Sequence, residues 1–540
     1  MAPLIFSLVF ALATARFGVC SLGTVADLHI VNAFVAPDGY NRSATLAEGT
    51  LEGPAIIGNK NDTFEINVYN DLTNDTMYRD ASIHWHGILQ YDNNFQDGTA
   101  MVSQCPISDG DSYLYKFTVT DQAGTFWYHS HYAVQYCDGL RGPLIIYDPD
   151  DPYLDDYDVD NESTIITLSD WYHSVSPNVT IPATPDSTLI NGLGRYAGGT
   201  ETDLAVVTVE YGKRYRMRLL NIGCDPDFEF GIDQHNMTII EIDGNNVEKL
   251  TVTSIDIFPG QRYSFILYAD QAVDNYLIRA DPSIGTLGYD GGINSAILRY
   301  VGANVTDTLP TSVALNDTAP LLEADLHVSI QFLSRVLSLI ANVVYQPLED
   351  PAAPGNATLE GADVILYYNM TSPAAHVMAV NGYAYASPTV PVLLQALSGT
   401  TNVGNLLPNG SIYNIQSGQV VQVTIPGGYL TLQHPFHLHG HTFSIIKAAY
   451  SDDVNYVNPP RRDTLNSGET GDYAIIRFTA DNYGPWMLHC HIDWHLAQGL
   501  AIVFAEEIED WNSTIPVTSA WDDLCPLYAT SEKLDEGLTF

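Results

Sequence analysis

Residues 484–504 read GPWMLHCHIDWHLAQGLAIVF and set three histidines and a cysteine within seven positions, His489 to His495. On a β-strand, successive side chains point to opposite faces. His489 and His491 therefore project one way and Cys490 the other. His495 lies beyond the strand, where HLAQGL turns the chain. Read as a strand, the stretch divides its own side chains between two sites.

The chain holds 16 histidines, and ten of them fall in four clusters. These are His84 and His86 in HWHG, His129 and His131 in WYHSH, His434, His437 and His439 in HPFHLHG, and His489, His491 and His495 in HCHIDWH. One His-x-His pair is commonly a surface or satisfied core pair. Four in one chain point instead to metal, since imidazole ligates copper, zinc and iron. The pairs 84/86, 129/131, 437/439 and 489/491 can converge as eight rings on one polynuclear site. Parity isolates the rest: Cys490 and His434 point away from the eight, and His495 joins them. Two histidines and one thiolate make the blue-copper donor set. Zinc accepts the same donors but leaves the eight-histidine group unexplained.

Outward from these clusters, short alternating runs dominate: TFEINVYN, SYLYKFTV, RYRMRLLN, RYSFILYA and VVQVTI. They are rich in Val, Ile, Tyr, Thr and Phe and bounded by Gly, Pro, Asn and Asp, which predicts an all-β fold. A glycine turn followed by a strand recurs in DGDSYLYKF, YGKRYRMRL, PGQRYSFIL and SGQVVQVTI, as in repeated β-sandwich units. With 540 residues the chain is too long for one core. The divisions expected are a secretory signal peptide over 1–20 and domains over 21–150, 151–320 and 321–540. The net charge of −43 argues against nucleic acid and anionic membranes as partners.

The apolar start MAPLIFSLVFALATARFGVC reads as the signal peptide, although it lacks a basic n-region. Twelve Asn-x-Ser/Thr sequons fit a secreted, extracellular glycoprotein. Of six cysteines, Cys20 leaves with the signal and Cys490 is a metal ligand. Cys105, Cys137, Cys224 and Cys525 remain, an even set with three possible pairings. Residues 328–346, VSIQFLSRVLSLIANVVYQ, are apolar and roughly helix-periodic, but short and polar-interrupted for a membrane span.

At the histidine clusters the chain resembles the multicopper oxidases, specifically the fungal laccases. The resemblance is carried by HWHGILQYDNNFQDGTAMVSQCPI from His84, GTFWYHSHYAVQYCDGLRGPLIIYDP from Gly124, HPFHLHGH from His434 and GPWMLHCHIDWHLAQGLAIVFAE from Gly484. It implies three cupredoxin-like Greek-key β-sandwich domains and four copper ions. A type 1 copper would take His434, Cys490 and His495, and a type 2 copper His84 and His437. A type 3 pair would take His86, His129 and His491 on one ion and His131, His439 and His489 on the other. Leu500 would fall at the axial position of the type 1 site, where it cannot ligate and should favour Cu(I). The implied disulfides are Cys105–Cys525 and Cys137–Cys224. The implied substrates are phenols and aromatic amines, with dioxygen reduced to water, by a secreted monomer.

Among carboxylates, Asp225 matches a residue that hydrogen-bonds the reducing substrate in related laccases and takes its proton. Asp97 and Asp493 resemble groups that orient ligands and pass protons toward oxygen. Thr99 stands where relatives usually carry proline, a departure not expected to touch a ligand. Relatives also run without the residues of 328–346, which reads as a retained intron, with a genuine interdomain loop as the rival. Other readings of the whole chain are a ferroxidase, which needs carboxylates around the type 1 edge, and a secreted copper-binding protein without turnover.

Overall fold

The computed structural model describes residues 21–305, 308–315, 319–326, 352–407, 410–429 and 433–531. The proposed signal peptide and the apolar stretch 328–346 lie outside the described residues. The runs predicted as strands are strands: Thr63–Asn70, Ser112–Thr118, Arg214–Asn221, Arg262–Tyr268 and Val420–Pro426. Each of the last four follows a glycine turn, at Gly110, Gly212, Gly260 and Gly418, with φ between +81° and +88°. That left-handed backbone is open to glycine without steric cost, and it lets a tight turn feed the next strand.

The strands build three sandwiches in chain order. In the first, the sheet Arg42–Ala47, Val25–Val35, Thr63–Asn70 and Ser112–Thr118 accompanies the sheet Ile56–Asn59, Arg141–Tyr147, Gly124–Ser130 and Ile83–His86. The middle one has a seven-stranded and a five-stranded sheet drawn from residues 165–300. The last has two five-stranded sheets and a hairpin drawn from residues 364–506. Each of the six larger sheets is antiparallel except for one parallel pair, such as Ile56–Asn59 on Arg141–Tyr147 and Ile412–Ile415 on Ala501–Glu506. This repeated mixed pattern is what makes the three sandwiches copies of one plan. Among the described residues, no helix is long and apolar enough to cross a membrane.

The copies place the histidines. In the first sandwich, Ile83–His86 pairs antiparallel with Gly124–Ser130, His84 opposite His129. At the same place in the last, Pro435–Leu438 pairs with Gly484–Cys490, His437 opposite His489. The corresponding strands of the middle sandwich, Phe228–Ile232 and Asn275–Pro282, hold no histidine. Residues of the first and last sandwiches form one continuous apolar cluster, whereas most of the middle sandwich packs a core of its own. The histidine strands thus face each other across the seam of a shared core.

Two disulfides tie the assembly, Cys105–Cys525 and Cys137–Cys224. The first joins the first sandwich to the C-terminal helix Ser519–Tyr528, and the second joins it to the middle sandwich.

Candidate metal centres

Side-chain alternation places His489 on one face of Gly484–Cys490 and Cys490, opposite Phe436, on the other, and His491, just past the strand, is held by its N–H to Pro435 O at 2.7 Å. The eight expected histidines meet at the seam. Their donor atoms fall in three groups, His84/His86/His437, His86/His129/His491 and His131/His439/His489, each within 4.8 Å of one another. The fourth group, His434, Cys490 and His495, forms a separate site with the sulfur 3.5 Å from His434 Nδ1 and 3.6 Å from His495 Nδ1. His495 stands on a short helix, Asp493–Ala497, rather than in the irregular turn expected.

The larger site is built to hold cations. Ring nitrogens approach with no hydrogen-bond acceptor between them: His84 Nε2 and His437 Nε2 at 3.4 Å, His439 Nε2 and His489 Nε2 at 3.0 Å, His491 Nε2 and His86 Nδ1 at 3.2 Å. The Nε2 atoms of His129 and His131 are buried without a partner. Burial, reinforced by neighbouring histidines, pushes His86, His129, His439, His489 and His491 well below the usual imidazole range and His131 down to about 3. The rings are therefore neutral, with lone pairs converging on the centre. Outer bonds fix which nitrogen faces inward. His84 donates Nδ1–H to Asp97 O at 2.8 Å, His129 to Ser130 O at 2.8 Å, His437 to Asp463 O at 2.9 Å and His489 to Cys490 O at 3.0 Å.

The smaller site has apolar walls. Cys490, Phe436 and Leu500 are fully buried. Burial pushes the Cys490 thiol far up and His434 down to about 4, so the thiolate needs a bound cation to form. Leu500 O accepts from Cys490 N at 3.1 Å, and Leu500 N donates to His495 O at 3.1 Å. The donor set, two imidazoles and one thiolate in an apolar shell, fits copper.

The carboxylates divide. Asp97 Oδ2 accepts from His439 Nδ1 at 3.0 Å, and Asp97 Oδ1 lies 3.3 Å from His84 Nδ1. Burial would raise its carboxyl, but His439 and His84 outweigh this and hold it well below the usual range. Thr99, expected to stand clear of the ligands, does not. Its hydroxyl donates to Asp97 Oδ2 at 2.5 Å and lies 3.1 Å from His439 Nδ1. The reason is local: Gly98, at φ +82°, turns the chain so that Thr99 folds back onto the carboxylate two positions earlier. Asp493 makes no hydrogen bond to a ligand ring among the described residues. Its carboxyl, raised by burial and by Asp170, lies 3.6 Å from Cys137 Sγ. Asp225 is half-buried, and burial together with Asp170 and Asp227 pushes its carboxyl well up. Asp493 N donates to Cys224 O at 2.9 Å, which ties the Asp225 loop to the helix carrying His495.

One carboxylate was not singled out from the sequence. Asp463 Oδ1 accepts from His86 Nε2 at 3.1 Å, its carbonyl receives His437, and Arg262 bonds both its oxygens. Nothing in RRDT marks it, because the histidines it serves are far away in sequence. Only the pairing of Pro435–Leu438 with Thr464–Asn466 brings it in.

Comparison with known proteins agrees with this geometry. Family models described as multicopper oxidase match residues 30–151, 162–303 and 385–510. Laccase-4 of Trametes villosa is 54% identical over 95% of this chain and 96% of its own. The laccase of Phlebia radiata is 51% identical over 98% of each chain. Among solved structures, the laccase from Botrytis aclada superposes with a TM-score of 0.78 at 30% identity, covering 96% of this chain and 95% of its own. Fet3p, a multicopper oxidase that functions in iron import, gives 0.79 at 26% identity, covering 96% and 97%. The chain belongs to the multicopper oxidase family, as a close homologue of the fungal laccases. Its cofactors are four copper ions, one at the cysteine site and three at the histidine cluster.

Proposed function

We propose that this protein is a secreted oxidase that takes electrons singly from phenols and aromatic amines beside His495 and reduces dioxygen to two waters at the histidine cluster. His434, Cys490 and His495 would hold the type 1 copper, with the apolar Leu500 bonded through its backbone to Cys490 and His495. His84 and His437 hold the type 2 copper. His86, His129 and His491 hold one type 3 ion, and His131, His439 and His489 the other. Bound copper supplies the chemistry: electrons are accepted one at a time and four are passed to dioxygen.

The observation that carries this reading is the tripeptide His489–Cys490–His491. Its middle side chain enters one site and its outer two enter the other, so the backbone of one strand bridges them. Asp225 is placed to bind a phenol O–H or an aromatic N–H and keep the proton as the electron leaves. Asp97 and Asp463 orient the rings, and both lie against the cluster where protons must reach oxygen. Two disulfides support a secreted location, since such bonds persist in oxidising compartments.

The test is copper content, visible absorption and oxygen uptake of the purified protein, with a phenol and Fe(II) as alternative reductants. A blue, four-copper protein that consumes oxygen faster with the phenol is expected. Preference for Fe(II) would make it a ferroxidase. A colourless, copper-free protein without uptake would end the oxidase reading.

A further inference from the structure

The middle sandwich supplies none of the clustered histidines, yet one of its turns reaches them. In the turn before Arg262–Tyr268, Gly260 adopts φ +88°, and a Cβ there would stand 3.0 Å from His86 Cε1 and 3.1 Å from His491 Cδ2. The turn therefore lies directly against two cluster rings. Two residues on, Arg262 is fully buried. Its fork bonds Asp463 twice, Nη1 to Oδ1 and Nη2 to Oδ2, each at 2.7 Å. Its other hydrogen bonds run to backbone, Nε to Thr125 O and Nη1 to Gly260 O, both at 2.9 Å, and Nη1 lies 3.6 Å from Asp243 Oδ1. Gly87, next to His86, gives the pair its room, since a Cβ there would sit 2.6 Å from Arg262 Nη2 and 2.7 Å from Asp463 Oδ2.

His86 is oriented unlike its neighbours. His84, His129, His437 and His489 give Nδ1–H to backbone carbonyls and turn Nε2 inward. His86 is reversed, with Nδ1 facing His491 Nε2 and Nε2 facing Asp463 Oδ1. A backbone carbonyl is always an acceptor. A side-chain carboxyl oxygen serves only where something holds it in place. Arginine does this, because its planar fork matches the two oxygens of Asp463 in one plane.

We propose that Arg262 is a positioning residue for the trinuclear cluster. By clamping Asp463 with both arms it keeps the ring proton of His86 on Nε2 and presents Nδ1 to the metal. The sandwich without ligands thereby decides whether the cluster fills. This rests on the copper assignment proposed above.

The experiment compares the wild-type protein with Arg262→Met, Arg262→Lys and a control, Arg42→Met. Arg42 is also buried and bonds Tyr172 O and Asp138 across the first and middle sandwiches, and it belongs to none of the metal-ligand groups. Copper per protein, the visible thiolate–copper band, the type 2 paramagnetic resonance and the thermal midpoint are read for each. Arg262→Met should keep the full thiolate band but lose at least one of the three cluster coppers, with an altered type 2 resonance. Affinity losses of about 10- to 100-fold are typical when a ligand's supporting partner is removed. Arg262→Lys, which restores the charge but not the fork, should recover part of the missing copper. Arg42→Met should lower the midpoint with its copper-to-band ratio unchanged.

The proposal is overturned if Arg262→Met carries four coppers with an unaltered resonance. It is equally overturned if that variant loses band and cluster copper in parallel. Should Arg262→Met not accumulate, Arg262→Gln and Arg262→Lys decide on the same readouts. A wild-type protein that binds no copper would instead sink the copper assignment itself.

Discussion

Asp225 lies in the loop tied to the helix of His495, Leu500 is bonded through its backbone to Cys490 and His495, and each yields a test on one side chain. Asp225 carries a carboxyl raised by burial and by Asp170 and Asp227. Only its ionised form accepts a proton, so phenol oxidation should weaken as pH falls through that raised value and recover above it. Asp225→Asn should remove this dependence and lower kcat/KM for a phenol by about 10²-fold. A donor that loses an electron without a proton should be much less affected, and steady-state rates with the two donors across pH check this. Leu500 is fully buried. Leu500→Met nearly conserves volume, so it should cost less than about 1.5 kcal/mol. The added thioether should lower the type 1 potential, measured by redox titration of the visible band. Both residues were legible through the resemblance. Asp463 and Arg262 were not, because the sequence shows spacing along the chain and these two act across it.

At the scale of elements, strand alternation made much of the site readable in advance. It sorts His489, Cys490 and His491 onto two faces without reference to any partner strand. The helix that carries His495, Asp493–Ala497, was read as a turn, because five residues are too few for a periodicity to register. The Thr99 contact was missed because it depends on the backbone turning at Gly98. The C-terminal helix Ser519–Tyr528 is held by Cys525 to Cys105, and by Trp521 Nε1 donating to Ser103 O at 3.0 Å. The cross-link spans 420 residues, so removing it frees a very large loop in the unfolded chain. Cys105→Ser with Cys525→Ser should cost about 4 kcal/mol, read by denaturant unfolding. The blue band should persist, since neither cysteine belongs to a metal-ligand group among the described residues.

For the whole molecule, the repeat of glycine turns announced the sandwiches, but not which of them would lack ligands. The structure also bears on residues 328–346. The flanks on either side are anchored on adjacent side chains. Glu323 Oε1 lies 2.6 Å from Arg462 Nη1, and Arg461 Nη2 donates to Ala352 O at 3.2 Å. Removing 328–346 leaves residues 327 and 347–351 to join Leu326 to Ala352, enough chain for about 20 Å. The shortened protein should fold with wild-type copper content and thermal midpoint. A loss of copper on deletion would show that the stretch belongs to the mature protein.

The seam between the first and last sandwiches has a consequence for the growing chain. His84, His86, His129 and His131 emerge early in synthesis, while their counterparts on Gly484–Cys490 come close to the end. Neither half set can assemble a three-metal centre. A chain cut short before His489 therefore cannot complete the centre at which dioxygen is reduced. The order of the ligands along the polypeptide is itself a safety catch on its most hazardous chemistry.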